Sequence, residues 1–263
     1  MKELPRLHLF EFNDSAWAGQ ALRDNIVETL SLTLRWGRML RGLVDPYCRF
    51  LDDARTQDVL DLCAGAGGPA LVLCEEFRRA GRRPPQILMT DLFPRSKHWT
   101  RLQELHPEVL SFVDQSVNAT AIPEDLSAGR ARTIINAFHH FTPSLARSIL
   151  KHAVESRTPI FVSEAFHRNP ALFASFAPAA LLAMFANPVL TEEPSLKKAL
   201  LAWLTPVTLG AGMWDGLVST MRVYTERELR AMSEPLGGGY RWTFEPYAAP
   251  LGGRGYVYYG IPE

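Results

Sequence analysis

The chain has 263 residues, nearly half of them apolar, and balances 28 basic against 28 acidic side chains. That length buries a full core and favours one large domain or a domain with additions. A zero net charge excludes the summed field that would gather nucleic-acid phosphates or hold a protein on an anionic bilayer, so neither partner is expected.

From Asp14 to Asp52 the apolar residues recur at helical spacing, through Leu22, Ile26, Leu30 and Leu34 and then Trp36, Leu40 and Leu43, with Asp14 or Ser15 as N-cap. Residues 1–52 therefore read as an N-terminal helical cap, and 53–263 as the main domain. From Asp58 the pattern changes to short apolar runs, Val59 to Cys63, Ile87 to Thr90, Val109 to Val113, Thr133 to Ile135 and Ile160 to Ser163, separated by amphipathic segments. Such alternation predicts an α/β fold with a parallel sheet and crossover helices. An apolar, Pro- and Ala-rich helical insert follows over 168–213. Its uncharged stretch from Pro170 to Leu190 approaches the length of a membrane span, but Ser175, Pro178, Asn187 and Pro188 favour a helical element over the site mouth instead. Thr225 and Glu228 form a capping box, and Tyr240 to Tyr247 with Gly255 to Ile261 predict a hairpin closing the sheet edge. Three cysteines without zinc or disulfide spacing, and an N-terminus lacking an apolar signal core, predict a reducing, cytoplasmic setting.

The strongest motif is Val59-Leu60-Asp61-Leu62-Cys63-Ala64-Gly65-Ala66-Gly67-Gly68-Pro69, a strand running into glycines and a helix. Gly65 and Gly67 let the backbone turn tightly and approach a ligand where a Cβ would collide. The second strand ends in Asp91, whose carboxylate can accept the ribose hydroxyls of an adenosine held by the turn. Asp61, inside the strand, can act on an ammonium group, directly or through water, and a nicotinamide cofactor carries none.

Asp61-x-x-x-Gly65-x-Gly67 resembles the first motif of the class I, Rossmann-like methyltransferases that use S-adenosylmethionine (SAM). The resemblance continues through Asp91, through Asn118-Ala119-Thr120, and through Ile135-Asn136-Ala137-Phe138-His139-His140-Phe141. Leu9-Phe10-Glu11-Phe12-Asn13-Asp14 with Arg23, and Trp214-Asp215-Gly216-Leu217-Val218-Ser219 with Arg222 and Tyr224, are similar to a bacterial group of these enzymes without assigned substrates. The family implies a seven-stranded, mostly parallel Rossmann-like sheet and SAM as cofactor. It implies cofactor contacts from Asp61, Cys63, Gly65, Gly67, Asp91, Leu92, Asn118, Ala119 and Asn136. At Asn118 the family usually has Asp; the Asn side-chain oxygen can still accept from the adenine amine.

Reacting groups in a parallel sheet gather beyond the carboxyl ends of the strands. His140 is the first candidate for a general base and His139 the second, with Glu164 orienting the histidine or binding an acceptor amine. Trp17, Arg23, Trp214, Asp215, Arg222 and Tyr224 are candidate acceptor-binding groups, Arg222 beside Tyr224 as a carboxylate clamp, or else Arg222 paired with Asp215. Phe10, Phe12, Trp17 and Arg23 read as a lid over the cofactor. Adjacent histidines are expected to point apart, so no metal is expected. The expected reaction is methyl transfer to a small, partly apolar molecule by a monomer or homodimer. The rivals are a SAM-binding enzyme of other chemistry, such as cyclisation or decarboxylation, and an NAD-dependent oxidoreductase.

Overall fold

In the computed structural model, which describes residues 4–191 and 193–263, the strand-like runs assemble into one seven-stranded sheet. The first three residues of the 1–52 cap and Glu192 of the insert lie outside the described residues. In chain order the elements are α1 (Gln20–Trp36), α2 (Val44–Ala54), β1 (Asp58–Leu62), α3 (Gly68–Arg79), β2 (Gln86–Thr90), α4 (Ser96–Leu105), β3 (Leu110–Phe112), α5 (Glu124–Ser127), β4 (Ala131–Ile135), α6 (Pro143–Glu155) and β5 (Ile160–Glu164). Then come α7 (Pro170–Phe173), α8 (Ala177–Leu190), α9 (Leu196–Trp203), α10 (Val207–Arg222), α11 (Glu226–Ser233), β6 (Tyr240–Ala248) and β7 (Arg254–Pro262).

The strand order is β3-β2-β1-β4-β5-β7-β6, parallel except for β7, which runs antiparallel to both β5 and β6. Strands β1 to β3 extend to one side and β4 and β5 to the other, so the direction of winding reverses between β1 and β4. In an open α/β sheet that reversal splays the loops apart and leaves a crevice at the carboxyl ends of the two strands. Strands β4 and β5 are buried along their whole length, as the continuous apolar runs of a two-sided parallel sheet require. The core joins them to α2 through Tyr47 and Phe50, whose rings meet Phe161 at 4.8 and 4.9 Å.

The helical cap read over 14–52 consists of two helices, α1 and α2, with turns before and between them. Residues 16–18 form a single 3-10 turn, Gly19 at φ 72° sets the chain into α1, and Gly37 with Arg38 at φ 50° ends it before a second 3-10 turn leads into α2. Neither Asp14 nor Ser15 caps α1; the Ser15 hydroxyl donates to the Glu11 carbonyl, and Asp14 joins an ion cluster described below. The capping box at Thr225 is present, with the Thr225 hydroxyl accepting from Glu228 N–H and Glu228 Oε2 accepting from Thr225 N–H. The insert is mainly helical, with loops between its helices, and its last helix runs on to Arg222, past the expected end at 213. Among the described residues no helix is long and apolar enough to cross a membrane; the 170–190 stretch is cut into α7, a 3-10 turn and α8. Helix α8 lies along α1, where Asn187 Nδ2 donates to the buried Asn25 Oδ1 at 3.2 Å.

Candidate active site

Strand β1 delivers the chain into a turn where Cys63, Gly65 and Gly67 all have positive φ, at 63°, 56° and 81°. At Gly67 a side chain is barred twice, by the left-handed backbone and because a Cβ would lie 2.4 Å from Leu102 Cδ1. Gly65 differs: a Cβ there would meet nothing within 4 Å, so this side of the turn is open. Asp91 fastens the turn, its Oδ2 accepting from Gly65 N–H at 2.9 Å and its Oδ1 from Phe93 N–H at 2.8 Å. A carboxylate has about four acceptor positions, so Asp91 keeps capacity for ligand hydroxyls. Leu92 and Phe93 beside it are exposed, apolar surface at the mouth of a crevice.

Asp61 is buried, and that burial raises its carboxyl to about 7, against the lowering effect of the Thr133 hydroxyl donating at 3.2 Å and with the neighbouring Asp91 charge adding to it. A cation placed beside Asp61 would favour the ionised form. Cys63 is no nucleophile, since burial pushes its thiol up. The Asn118 side-chain oxygen already accepts from Thr120 N–H and Thr120 Oγ1, at 2.9 and 2.8 Å, which leaves its NH2 end and not its oxygen for adenine. Ala119 is buried next to it. Asn136 sits at φ 55° after β4, accepting from Ala165 N–H at 2.7 Å, and its Nδ2 is buried with no partner among the described residues.

Beyond the ends of β4 and β5 the 3-10 turn Phe138–His140 brings His139 onto Glu164. Glu164 is fully buried; one oxygen accepts from His139 N–H and the other lies 2.9 Å from His139 Nδ1. A carboxylate at that distance fixes the proton on Nδ1 and leaves Nε2 as the accepting nitrogen. Glu164 pairs with neither Arg168, which binds Glu228, nor Arg222. His140 is placed otherwise: its Nδ1 lies 3.2 Å from Asp14 Oδ2 and 3.3 Å from Arg222 NH1, so that nitrogen is taken by protein partners.

The two imidazoles do not point apart. Their ring centres are 4.3 Å apart, and with Glu11 they offer ligand-type atoms all within 4.8 Å of one another, correcting the geometry that argued against a metal. Arg222, however, stands in the same group, with NH1 3.2 Å from Glu11 Oε1 and 3.2 Å from Asp14 Oδ2. The guanidinium already supplies the positive charge, and a divalent cation would have to displace it.

Arg222 and Asp215 do not pair with each other; both Asp215 oxygens and both terminal nitrogens of Arg222 are met within the chain, while Arg222 Nε is buried with no partner among the described residues. Asp215 accepts from Phe12 N–H and Asn13 N–H, Trp214 Nε1 donates to the Phe10 carbonyl, Ser219 donates to Glu11, and Arg222 reaches Glu11, Asp14 and the Leu9 carbonyl. Together they strap residues 4–19 along α10. Tyr224 also serves the strap: its hydroxyl donates to the Phe141 carbonyl, and its ring lies 4.3 Å beneath the Arg6 guanidinium. Arg6 in turn donates to the carbonyls of His139, Phe141 and Arg222. Burial by itself would raise the Asp14 carboxyl, but hydrogen bonds and charge from His140 and Arg222 hold it near 2. In Glu11 burial prevails and its carboxyl is raised, with His140 and Arg222 opposing.

Phe10, Phe12, Trp17 and Trp214 form one aromatic group with ring centres 5.3 to 5.8 Å apart, Trp17 and Phe10 partly in solvent. Arg23 lines a cavity of about 760 Å³ with Asn13, Ala66, Gly68 and Pro94, beside the glycine turn. Its Nε is buried and has no partner among the described residues. Most large apolar side chains of the insert, including Leu182, Phe185, Leu196, Leu204 and Met213, are exposed on the outside instead of lining this cavity.

Glu11, Asp14, Ser219 and Arg6 carry polar roles that the sequence reading did not assign. A signal existed: Asp215, Ser219 and Arg222 stand at i, i+4 and i+7, one face of one helix, and that face needs partners.

No family model matches the chain, and no curated protein matches it. Among solved structures it is similar to the methyltransferase domain of bacterial CtHen1, at a TM-score of 0.50 and 14% identity over 85% of this chain and 99% of that one. It is also similar to the magnesium protoporphyrin IX methyltransferase of Synechocystis PCC 6803, solved with bound SAM, at a TM-score of 0.46 and 10% identity over 96% and 93% of the two chains. With its strand order, its single antiparallel strand β7 and its glycine turn after β1, this chain has the fold of the class I, Rossmann-like SAM-dependent methyltransferases.

Proposed function

We propose that the protein binds SAM at the crevice between the ends of β1 and β4 and methylates a small, partly apolar acceptor, with His139 as general base. One observation carries this reading: a histidine with its Nδ1 proton fixed by a fully buried Glu164 stands on the same sheet edge as the glycine turn and Asp91. Bound SAM supplies an electrophilic methyl carbon on a sulfonium. The Asp91 carboxylate would accept from the ribose hydroxyls, Leu92, Phe93 and Ala119 would border the adenine, and Asp61 would oppose the ammonium. Arg23, lacking a partner at Nε beside the turn, offers its charge to an anionic end of a ligand in the adjoining cavity. His139 Nε2 takes the acceptor's proton, and Glu164 keeps the tautomer and offsets the imidazolium charge. The strap shields this step from water, and the aromatic group of Phe10, Phe12, Trp17 and Trp214, more than the insert, supports a partly apolar acceptor. Residues 1–52 and 168–213 act as covers on the 53–263 domain, in a cytoplasmic enzyme.

Titration calorimetry with S-adenosylhomocysteine tests the cofactor reading. Asp91→Ala is expected to weaken binding about tenfold to a hundredfold, the cost of one or two hydrogen bonds to a charged group. Wild-type protein that binds NAD and not S-adenosylhomocysteine would reverse the reading. Methyl-labelled SAM, with mass spectrometry of the product, then separates methyl transfer from other chemistry.

The pH dependence of binding follows from Asp61. Its carboxyl titrates at about 7 without ligand, and the ligand ammonium favours the ionised form. Affinity is therefore greatest above that pH and falls by about tenfold per unit as pH drops below it. In Asp61→Asn the slope is expected to vanish; a slope that persists assigns it to another group.

A further inference from the structure

We propose that the amino-terminal edge of the sheet carries a second site, built on Arg132, that binds an oxyanion of the phosphate class. Arg132 is the second residue of β4, a strand flanked on both sides, and only 1% of it is exposed. A guanidinium taken out of water is costly unless an anion accompanies it. Here its NH1 meets His152 Nδ1 at 2.8 Å and its NH2 meets the Ser127 and Ser156 hydroxyls at 2.8 and 2.9 Å. None of these partners is charged with the opposite sign. Because a guanidinium only donates, His152 accepts at Nδ1 and is neutral, and burial and the Arg132 charge both lower its pKa. Arg132 Nε has no partner, and no carboxylate pairs with it among the described residues. Burial pulls its pKa down to about 10, with Tyr240 opposing, so the charge persists at neutral pH.

Arg132 lies at the floor of a cavity of about 660 Å³ lined also by Arg55, Arg130 and Arg157, against one acid, Glu124. Four arginines thus line a space with a single acidic residue, in a protein whose total charge is zero. Arg130 donates to the Asp125 and Leu126 carbonyls, neutral partners that leave its charge uncompensated, and Arg157 donates to the main-chain oxygen of Glu263. The planar fork of arginine matches phosphate oxygens, and Ser156 and Thr158 add hydroxyls to the lining. The cavity sits at the opposite ends of the strands from the glycine turn, a five-residue strand away, on the order of 15 Å. It is therefore separate from the methyl-transfer site.

Phosphorus NMR and calorimetric titration of the full chain with inorganic phosphate, and in a second arm with glycerol phosphate, an ester without the adenosine that the crevice beside Asp91 would take, test this. Binding of either at one site is expected, retained in Asp91→Ala and weakened about tenfold or more in Arg132→Met. Tighter binding of the ester makes a phosphorylated molecule the ligand; equal or tighter binding of phosphate makes it the free ion. Should Arg132→Met not fold, as judged by circular dichroism, the rim pair of the exposed Arg55→Gln and the half-buried Arg130→Gln decides. The proposal is overturned if neither anion binds, or if binding is unchanged in a folded Arg132→Met or in the rim pair.

Discussion

Replacing Arg222 by methionine is expected to destabilise the protein by about 3–5 kcal/mol, because it leaves a buried carboxylate without its counter-charge. Arg222 and Glu11 are 4% and 2% exposed, and their atoms are 3.2 Å apart. The methionine keeps most of the packing volume, so the loss belongs to the charge. Glu11 then has only the Ser219 hydroxyl and His140, and the strap loses its link from α10 to Asp14 and the Leu9 carbonyl. Denaturant unfolding measures the stability, and amide exchange over residues 4–19 reports the release of the strap. Glu11→Gln in the same chain should restore part of the loss, since the uncompensated charge is gone. A change below about 1 kcal/mol in Arg222→Met would mean that the cluster is solvated and that the strap is held by its aromatic group instead.

The sheet was legible because its signals are local and repeated. Each buried strand must be a short apolar run, and Gly65, Gly67 and Asp91 stand at fixed offsets from the ends of β1 and β2. Strand bounds inferred from those runs agree with the structure to within about two residues, whereas the breaks inside the helical cap were not legible, because Gly19, Gly37 and Arg38 adopt turns that apolar spacing does not register. The acceptor side was less legible for a different reason. Its groups come from the strap, the turn after β4, β5 and α10, with Asp14 and Arg222 standing 208 positions apart in the chain, and their pairing is decided by who reaches whom in space. Arg222 could have met Asp215, Glu164 or a ligand; it meets Glu11 and Asp14. The same applies to the two histidines, whose neighbours in sequence say nothing about which ring a buried carboxylate will hold. Arg132 was invisible for a third reason, since a lone arginine inside a strand reads as solvent-facing until the sheet closes over both of its faces.

That buried carboxylate gives the largest expected effect. Glu164→Gln is expected to lower turnover by about 10²–10⁴ with cofactor affinity unchanged, the range for loss of a positioned acid–base group. Glu164 accepts twice, from His139 N–H and from Nδ1–H. A glutamine has one accepting oxygen, so if it keeps the backbone N–H its NH2 confronts Nδ1, and the ring must move its proton to Nε2. The nitrogen that would accept from the acceptor is then blocked. Nitrogen NMR of labelled histidine reads this directly, as a proton on Nδ1 of His139 in the parent chain and on Nε2 in the variant, and it does not require the acceptor to be known. Once methyl-labelled SAM has revealed an acceptor, His139→Gln should reproduce the loss in turnover, while His140→Ala should cost less than about tenfold because its Nδ1 serves Asp14 and Arg222. The opposite ranking, with His140→Ala inactive and His139→Gln active, would transfer the base to His140 and leave Glu164 as the anchor that shapes the turn after β4.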